Sequence, residues 1–80
     1  MKVVITAYKG TGKFYTDEVV ELPEDKNIYD MDVLAEVARQ SVPLLSGGFV
    51  HMRLTDEDAK KPSAPFFNYL FKSDYLRCYL

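Results

Sequence analysis

The sequence predicts an α+β fold: a small antiparallel sheet of about four strands with one amphipathic helix packed on one face, in the order β-β-α-β-β. Three observations carry that reading. Two runs rich in β-branched and aromatic residues, Lys2 to Tyr8 and Phe14 to Leu22, flank a pentapeptide with two glycines. The stretch from Asp30 to Val42 repeats its apolar residues at three- and four-residue spacing. Two later runs, Phe49 to Leu54 and one starting at Phe66, have the length and residue types of short strands.

In the first pair of strands, Lys9-Gly10-Thr11-Gly12-Lys13 is the tip of a hairpin. Setting Tyr8 opposite Tyr15 places Val4 against Val19, Val3 against Val20 and Lys2 against Glu21, with Thr11-Gly12 as the turn. A shift by one residue sets Lys9 against Lys13 and Val4 against Glu18, a like-charge pair and a lost apolar match, so the first register is expected. Pro23 opens a polar loop through Asn27.

The helix follows, with Asp30 as its N-cap and Asp32 adding favourable charge at that end. Met31, Leu34, Ala38 and Val42, flanked by Ala35 and Val37, form its apolar stripe, while Asp32, Glu36, Arg39 and Gln40 take the other faces. Pro43 disfavours helix at Val42, so the helix stops between Gln40 and Val42. Gly47-Gly48 marks the turn out. Phe49, His51 and Arg53 then alternate with Val50, Met52 and Leu54, a half-buried third strand. Thr55 to Pro65, with Asp56-Glu57-Asp58 and Lys60-Lys61, reads as a long exposed loop and the place for mobility, Thr55 serving as a cap at its start. The last segment reads as a strand to about Phe71, a turn through Lys72-Ser73-Asp74, and a terminal strand or helical turn carrying Tyr75, Leu76, Tyr79 and Leu80.

Eighty residues with no internal repeat or low-complexity tract point to a single domain, residues 1–80. Six Tyr and five Phe, with no Trp, are too many for a disordered chain and supply large side chains to a small core. Ten Lys and Arg stand against twelve Asp and Glu, a net charge of −2, which argues against bulk electrostatic capture of nucleic acid or of an anionic membrane. The one cysteine, Cys78, cannot close an intramolecular disulfide. No apolar run approaches the ~18 residues of a membrane span, and Met1 to Lys9 is too short for the core of a secretory leader. A reducing, cytoplasmic location is the resulting expectation.

Residues able to do chemistry are few. His51 lacks an evident nucleophile or orienting carboxylate along the chain, and Cys78 beside Arg77 reads as a packing residue. One His and one Cys are too few for structural zinc, and Asp56-Glu57-Asp58 lacks the alternating ligands, glycine and closing glutamate of a calcium loop. Gly10-Thr11-Gly12-Lys13 resembles a phosphate loop only in part: the positions that need Gly and Ser or Thr hold Ala7 and Phe14, and a strand rather than a helix follows. The sequence therefore points to a non-enzymatic interaction or regulatory protein with no cofactor and no metal.

Two clusters remain as candidate surfaces. Phe66, Phe67, Tyr69, Phe71, Tyr75 and Tyr79 crowd the C-terminal segment, more rings than one short strand needs, and Tyr suits a surface that is part packed and part wet. They predict a protein-binding surface, with a second copy as one partner, unless they fill the core. The alternative is single-stranded nucleic acid at the hairpin tip, where Tyr8, Lys9, Lys13, Phe14 and Tyr15 combine rings with cations, though the overall charge speaks against it.

Overall fold

The computed structural model describes residues 1–77. Its elements run β1 (Lys2–Tyr8), β2 (Phe14–Glu21), α1 (Met31–Ser41), β3 (Phe49–Leu54), α2 (Asp56–Ala59), β4 (Asn68–Lys72) and α3 (Ser73–Arg77). The four strands form one antiparallel sheet in the order β2-β1-β3-β4, so β1 and β3 are central and the α+β class stands as expected.

Alternation along the strands divides the sheet into two faces. Val3, Ile5 and Ala7 of β1 and Val50, Met52 and Leu54 of β3 point to the buried side, where Leu34, Ala35 and Ala38 of α1 cover them. Leu22, Val42, Phe67 and Leu76 complete this core. Asp30 caps α1, its carboxylate accepting the Asp32 backbone N–H at 2.9 Å. Val42, held extended before Pro43, ends the helix. Arg39 donates to the Leu76 carbonyl at 3.3 Å and ties α1 to α3.

The hairpin keeps the expected register from Lys2↔Glu21 to Val4↔Val19, but its tip departs from it. Tyr8 faces Phe14, not Tyr15, because β2 holds one extra residue where Ala7 faces Thr16 and Tyr8 faces Phe14. The turn explains the slip. Gly12 N–H donates to the Lys9 carbonyl and Lys9 N–H to the Lys13 carbonyl, both at 2.8 Å, with Gly12 left-handed at φ 86°. That is a three-residue Gly10-Thr11-Gly12 loop rather than a Thr11-Gly12 turn, and the bulge absorbs the odd residue. Lys9 and Lys13 thus face each other after all, while the apolar pairs further down are preserved.

Two other segments differ from expectation. The 55–65 stretch is not wholly a loose loop: Thr55 caps the single turn α2, and Asp58 reaches back to β1. Its Oδ2 accepts the Lys2 backbone N–H at 2.6 Å, and Thr55 N–H donates to the Lys2 carbonyl at 3.1 Å. β4 begins at Asn68, since Phe67 first turns into the core, and α3 starts at Ser73 with no intervening turn. Cys78, Tyr79 and Leu80 lie outside the described residues. No helix among the described residues is long and apolar enough to cross a membrane.

Candidate functional site

The C-terminal rings divide between the core and the surface. Phe67 is 4% exposed, and Tyr69 and Phe71 lie on the helix side of β4, half-buried against the core. Phe67 meets Tyr69 edge-on at 5.1 Å, and Tyr69 stacks on Phe71 at 5.8 Å. These three rings supply the core volume that a short chain needs. Phe66 is exposed and borders a shallow hollow with Arg53, Asp56, Pro65 and Asn68. Tyr75 is exposed on α3, and Tyr79 lies outside the described residues.

The hairpin-tip residues come together differently. Tyr8 and Phe14 are cross-strand neighbours on the face of the sheet opposite α1, and Phe49 of β3 lies on the other side of Tyr8. Three rings therefore form a row across β2, β1 and β3, one strand spacing, or about 4.8 Å, apart. Lys72 extends the row on β4, opposite Phe49. The next row toward the sheet's far end holds Asp17, Thr6, His51 and Leu70, and the one after it Val19, Val4, Arg53 and Asn68. No helix among the described residues covers this face. Phe14, Val19 and Leu70 are 59%, 58% and 65% exposed. Tyr15, the extra residue at the bulge, has the Lys9 ammonium 5.8 Å from its ring centre.

A hollow of about 390 Å³ opens on this face, lined by Tyr8, Gly12, Phe49, His51 and Leu70. The glycine brings the hairpin tip to its rim. Of its lining residues, His51 has Nε2 hydrogen-bonded to Asn68 Oδ1 at 2.6 Å. The partner of the imidazole is thus the side-chain amide oxygen of Asn68. No group of three or more His, Cys, Asp or Glu with metal-binding geometry occurs among the described residues.

Charge is unevenly distributed over the molecule. The open face and the hairpin tip hold Lys2, Lys9, Lys13, Arg53 and Lys72 against Asp17 and Glu21. The remaining five cations share the rest of the chain with ten carboxylates. Arg53 lies 3.5 Å from Asp56, and Lys2 faces Glu21 in the ladder. Lys13 and Lys72 have no ion-pair partner among the described residues. Lys72 thus lies on the face beside the ring row, and Lys9 and Lys13 at the hairpin tip next to it.

Of the surface residues, the sequence singled out Tyr8, Lys9, Lys13, Phe14 and Tyr15 and missed Phe49, His51, Leu70 and Lys72 as their neighbours. The alternation of β3 contained the signal, since Phe49 and His51 share the face that is not the apolar one. No family model matches the chain, and neither does any curated protein or solved structure.

Proposed function

We propose that the chain is a non-enzymatic interaction protein that takes an anionic partner on the helix-free face of its sheet. The single observation behind this reading is the exposure of apolar side chains on one face that also carries Lys72, with Lys9 and Lys13 at the adjoining hairpin tip. Phe14, Val19 and Leu70 offer apolar area to a partner, and an uncovered apolar patch of this kind on a small domain marks an interaction surface. Lys9, Lys13 and Lys72 give the patch its electrostatic preference. The expectation of self-association through the C-terminal rings has less support, because Phe67 is in the core and Tyr69 and Phe71 are half-buried against it.

Photo-crosslinking inside the native cell tests the reading whatever the partner is. A benzophenone amino acid at position 70, on the open face, should give adducts that a probe at position 40, on the exposed side of α1, does not give. Lys13→Glu combined with Lys72→Glu should lower the adduct yield at position 70. Equal adducts from both positions, or none from position 70, would refute the assignment of the face.

A further inference from the structure

Resting on that reading of the face, we infer that its partner is single-stranded nucleic acid, with bases on the ring row and phosphates on the tip lysines. Four features of the surface favour this ligand over an acidic protein segment.

The first is the shape of the apolar contact. Phe14, Tyr8 and Phe49 stand side by side on adjacent strands. A row of rings on an antiparallel sheet, here with Phe14 exposed and Tyr8 and Phe49 half-buried, offers stacking platforms to successive bases, and stacking tolerates any base because each has a π-face. The second is the hollow beside the row. At about 390 Å³ it has room for a base, with the Tyr8 and Phe49 rings and the Leu70 side chain as apolar walls. His51 supplies a polar edge to the hollow, and its ring is held by the hydrogen bond to Asn68. A duplex hides its bases from such a surface, so the ligand is single-stranded.

The third feature is the pair of tip lysines. Lys9 and Lys13 face each other across the hairpin, with Lys9 N–H donating to the Lys13 carbonyl. Like charges directly opposite in a ladder are destabilising, and the alternative register without a bulge at Tyr15 would have avoided the pair. A phosphate bound at the tip offsets the repulsion between two lysines paired there. The fourth is Lys72, which ends the ring row at β4 and places a cation on the far side of the stacked bases from the tip. Cations on both flanks of a ring row suit a strand whose phosphates run along either side of its bases.

Fluorescence anisotropy with 5′-labelled oligothymidylate, the corresponding RNA and a hairpin duplex of equal length tests the inference. Both single strands should bind, and the duplex should bind at least tenfold more weakly. With three lysines on phosphates, the plot of log affinity against log salt should have a slope of about −2, or roughly 20-fold weaker binding at 200 mM than at 50 mM salt. Phe14→Ala should weaken binding by about 5- to 150-fold, the range for losing one stacked base. Lys13→Glu with Lys72→Glu should reduce the salt slope to below 1 in magnitude, while Lys26→Glu, on the loop before α1, should change little. Thermal unfolding of each variant separates lost binding from lost fold, and Phe14→Leu provides a packing-preserving second variant. Failure of every single strand to bind at 100 μM protein in 50 mM salt would overturn the inference, as would duplex binding of equal strength. If position 70 meanwhile crosslinks to a protein in cells, the face assignment stands and the nucleic-acid inference falls.

Discussion

Leu70 and Leu76 are six residues apart and differ completely in surroundings, and replacing each one separates the open face from the core. Leu70 is 65% exposed, so only about a third of its side chain is out of water. Full burial of a leucine contributes ~1.5–3 kcal/mol, so that third contributes about 0.5–1 kcal/mol. A lysine in its place keeps part of this through its methylene stem. Leu76 is fully buried, and leucine-to-alanine changes in cores cost ~2–5 kcal/mol. A domain of this length has a total stability of ~4–12 kcal/mol. Leu70→Lys should therefore be nearly silent, and Leu76→Ala should remove a large share of the total.

Urea unfolding followed by circular dichroism measures both changes. With an m-value of ~1 kcal/mol/M, Leu70→Lys shifts the midpoint by less than about 1 M and Leu76→Ala by about 2 M or more. The measurement is repeated over a hundredfold range of protein concentration, with sedimentation on the same samples. If Leu70→Lys costs about 2 kcal/mol or more, or if the wild-type midpoint rises with concentration, the face is already covered in the free protein by a second copy. That result would refute the claim that it is an open surface awaiting a partner.

Three further outcomes are expected from the packing. Gly48→Ala should destabilise the fold by about 3 kcal/mol, because a Cβ there would collide with the Tyr8 carbonyl oxygen and lie 3.1 Å from the Leu45 carbonyl oxygen; chemical denaturation reads the loss. Ser73→Ala should raise Tm by several degrees, since the buried Ser73 hydroxyl has no hydrogen-bond partner among the described residues and its removal relieves ~0.5–1.5 kcal/mol. Asp58 is held below its ordinary pKa of 3.8 by the Lys2 backbone N–H and by Lys61, whose own pKa is raised by the pairing. The stability from Asp58 is therefore present above about pH 4 and lost as pH falls through its lowered value. Lys61 contributes below about pH 10.5, and its share is lost as pH rises through the raised value. In Asp58→Asn the Tm deficit seen near pH 6 should close on acidification to pH 2, and a deficit constant with pH would contradict the clasp.

Local pattern made much of the fold legible. The α1 stripe, its Asp30 cap and its stop before Pro43 all follow from side chains within one or two turns of each other, and so does the alternation of β3. The hairpin register was readable because Val3 and Val4 have apolar matches only in one alignment. What escaped the sequence was set by contacts between distant segments. Whether Phe67, Tyr69 and Phe71 face solvent depends on which side of the sheet α1 packs, and no local pattern carries that. Asp58 reads as one of three solvated acids until β1 brings the Lys2 N–H to it. The tip bulge depends on Gly12 taking a left-handed conformation, while Gly10-Thr11-Gly12 allows more than one turn. The open face illustrates the same limit, since its ring row joins Tyr8 and Phe14 of the hairpin to Phe49 of β3, which lies far along the chain from them.

Net charge was the strongest sequence argument against a nucleic-acid partner, and its force depends on distance. The molecule extends 36 × 25 × 17 Å, and most carboxylates lie away from the open face. At physiological salt the Debye length is about 8 Å, so a strand on the ring row is governed by Lys9, Lys13 and Lys72 rather than by acids on and around α1. The overall charge of −2 then averages two regions of opposite sign and describes neither. Near 10 mM salt the Debye length grows to about 30 Å, comparable to the whole molecule, and the acidic side reaches the ligand. Affinity for a single strand should therefore climb with a slope of about −2 as salt falls from 200 mM, then flatten below about 30 mM. A slope unchanged down to 10 mM would show that the acids are too well screened to matter. A flat profile throughout would show that the tip lysines do not touch phosphate.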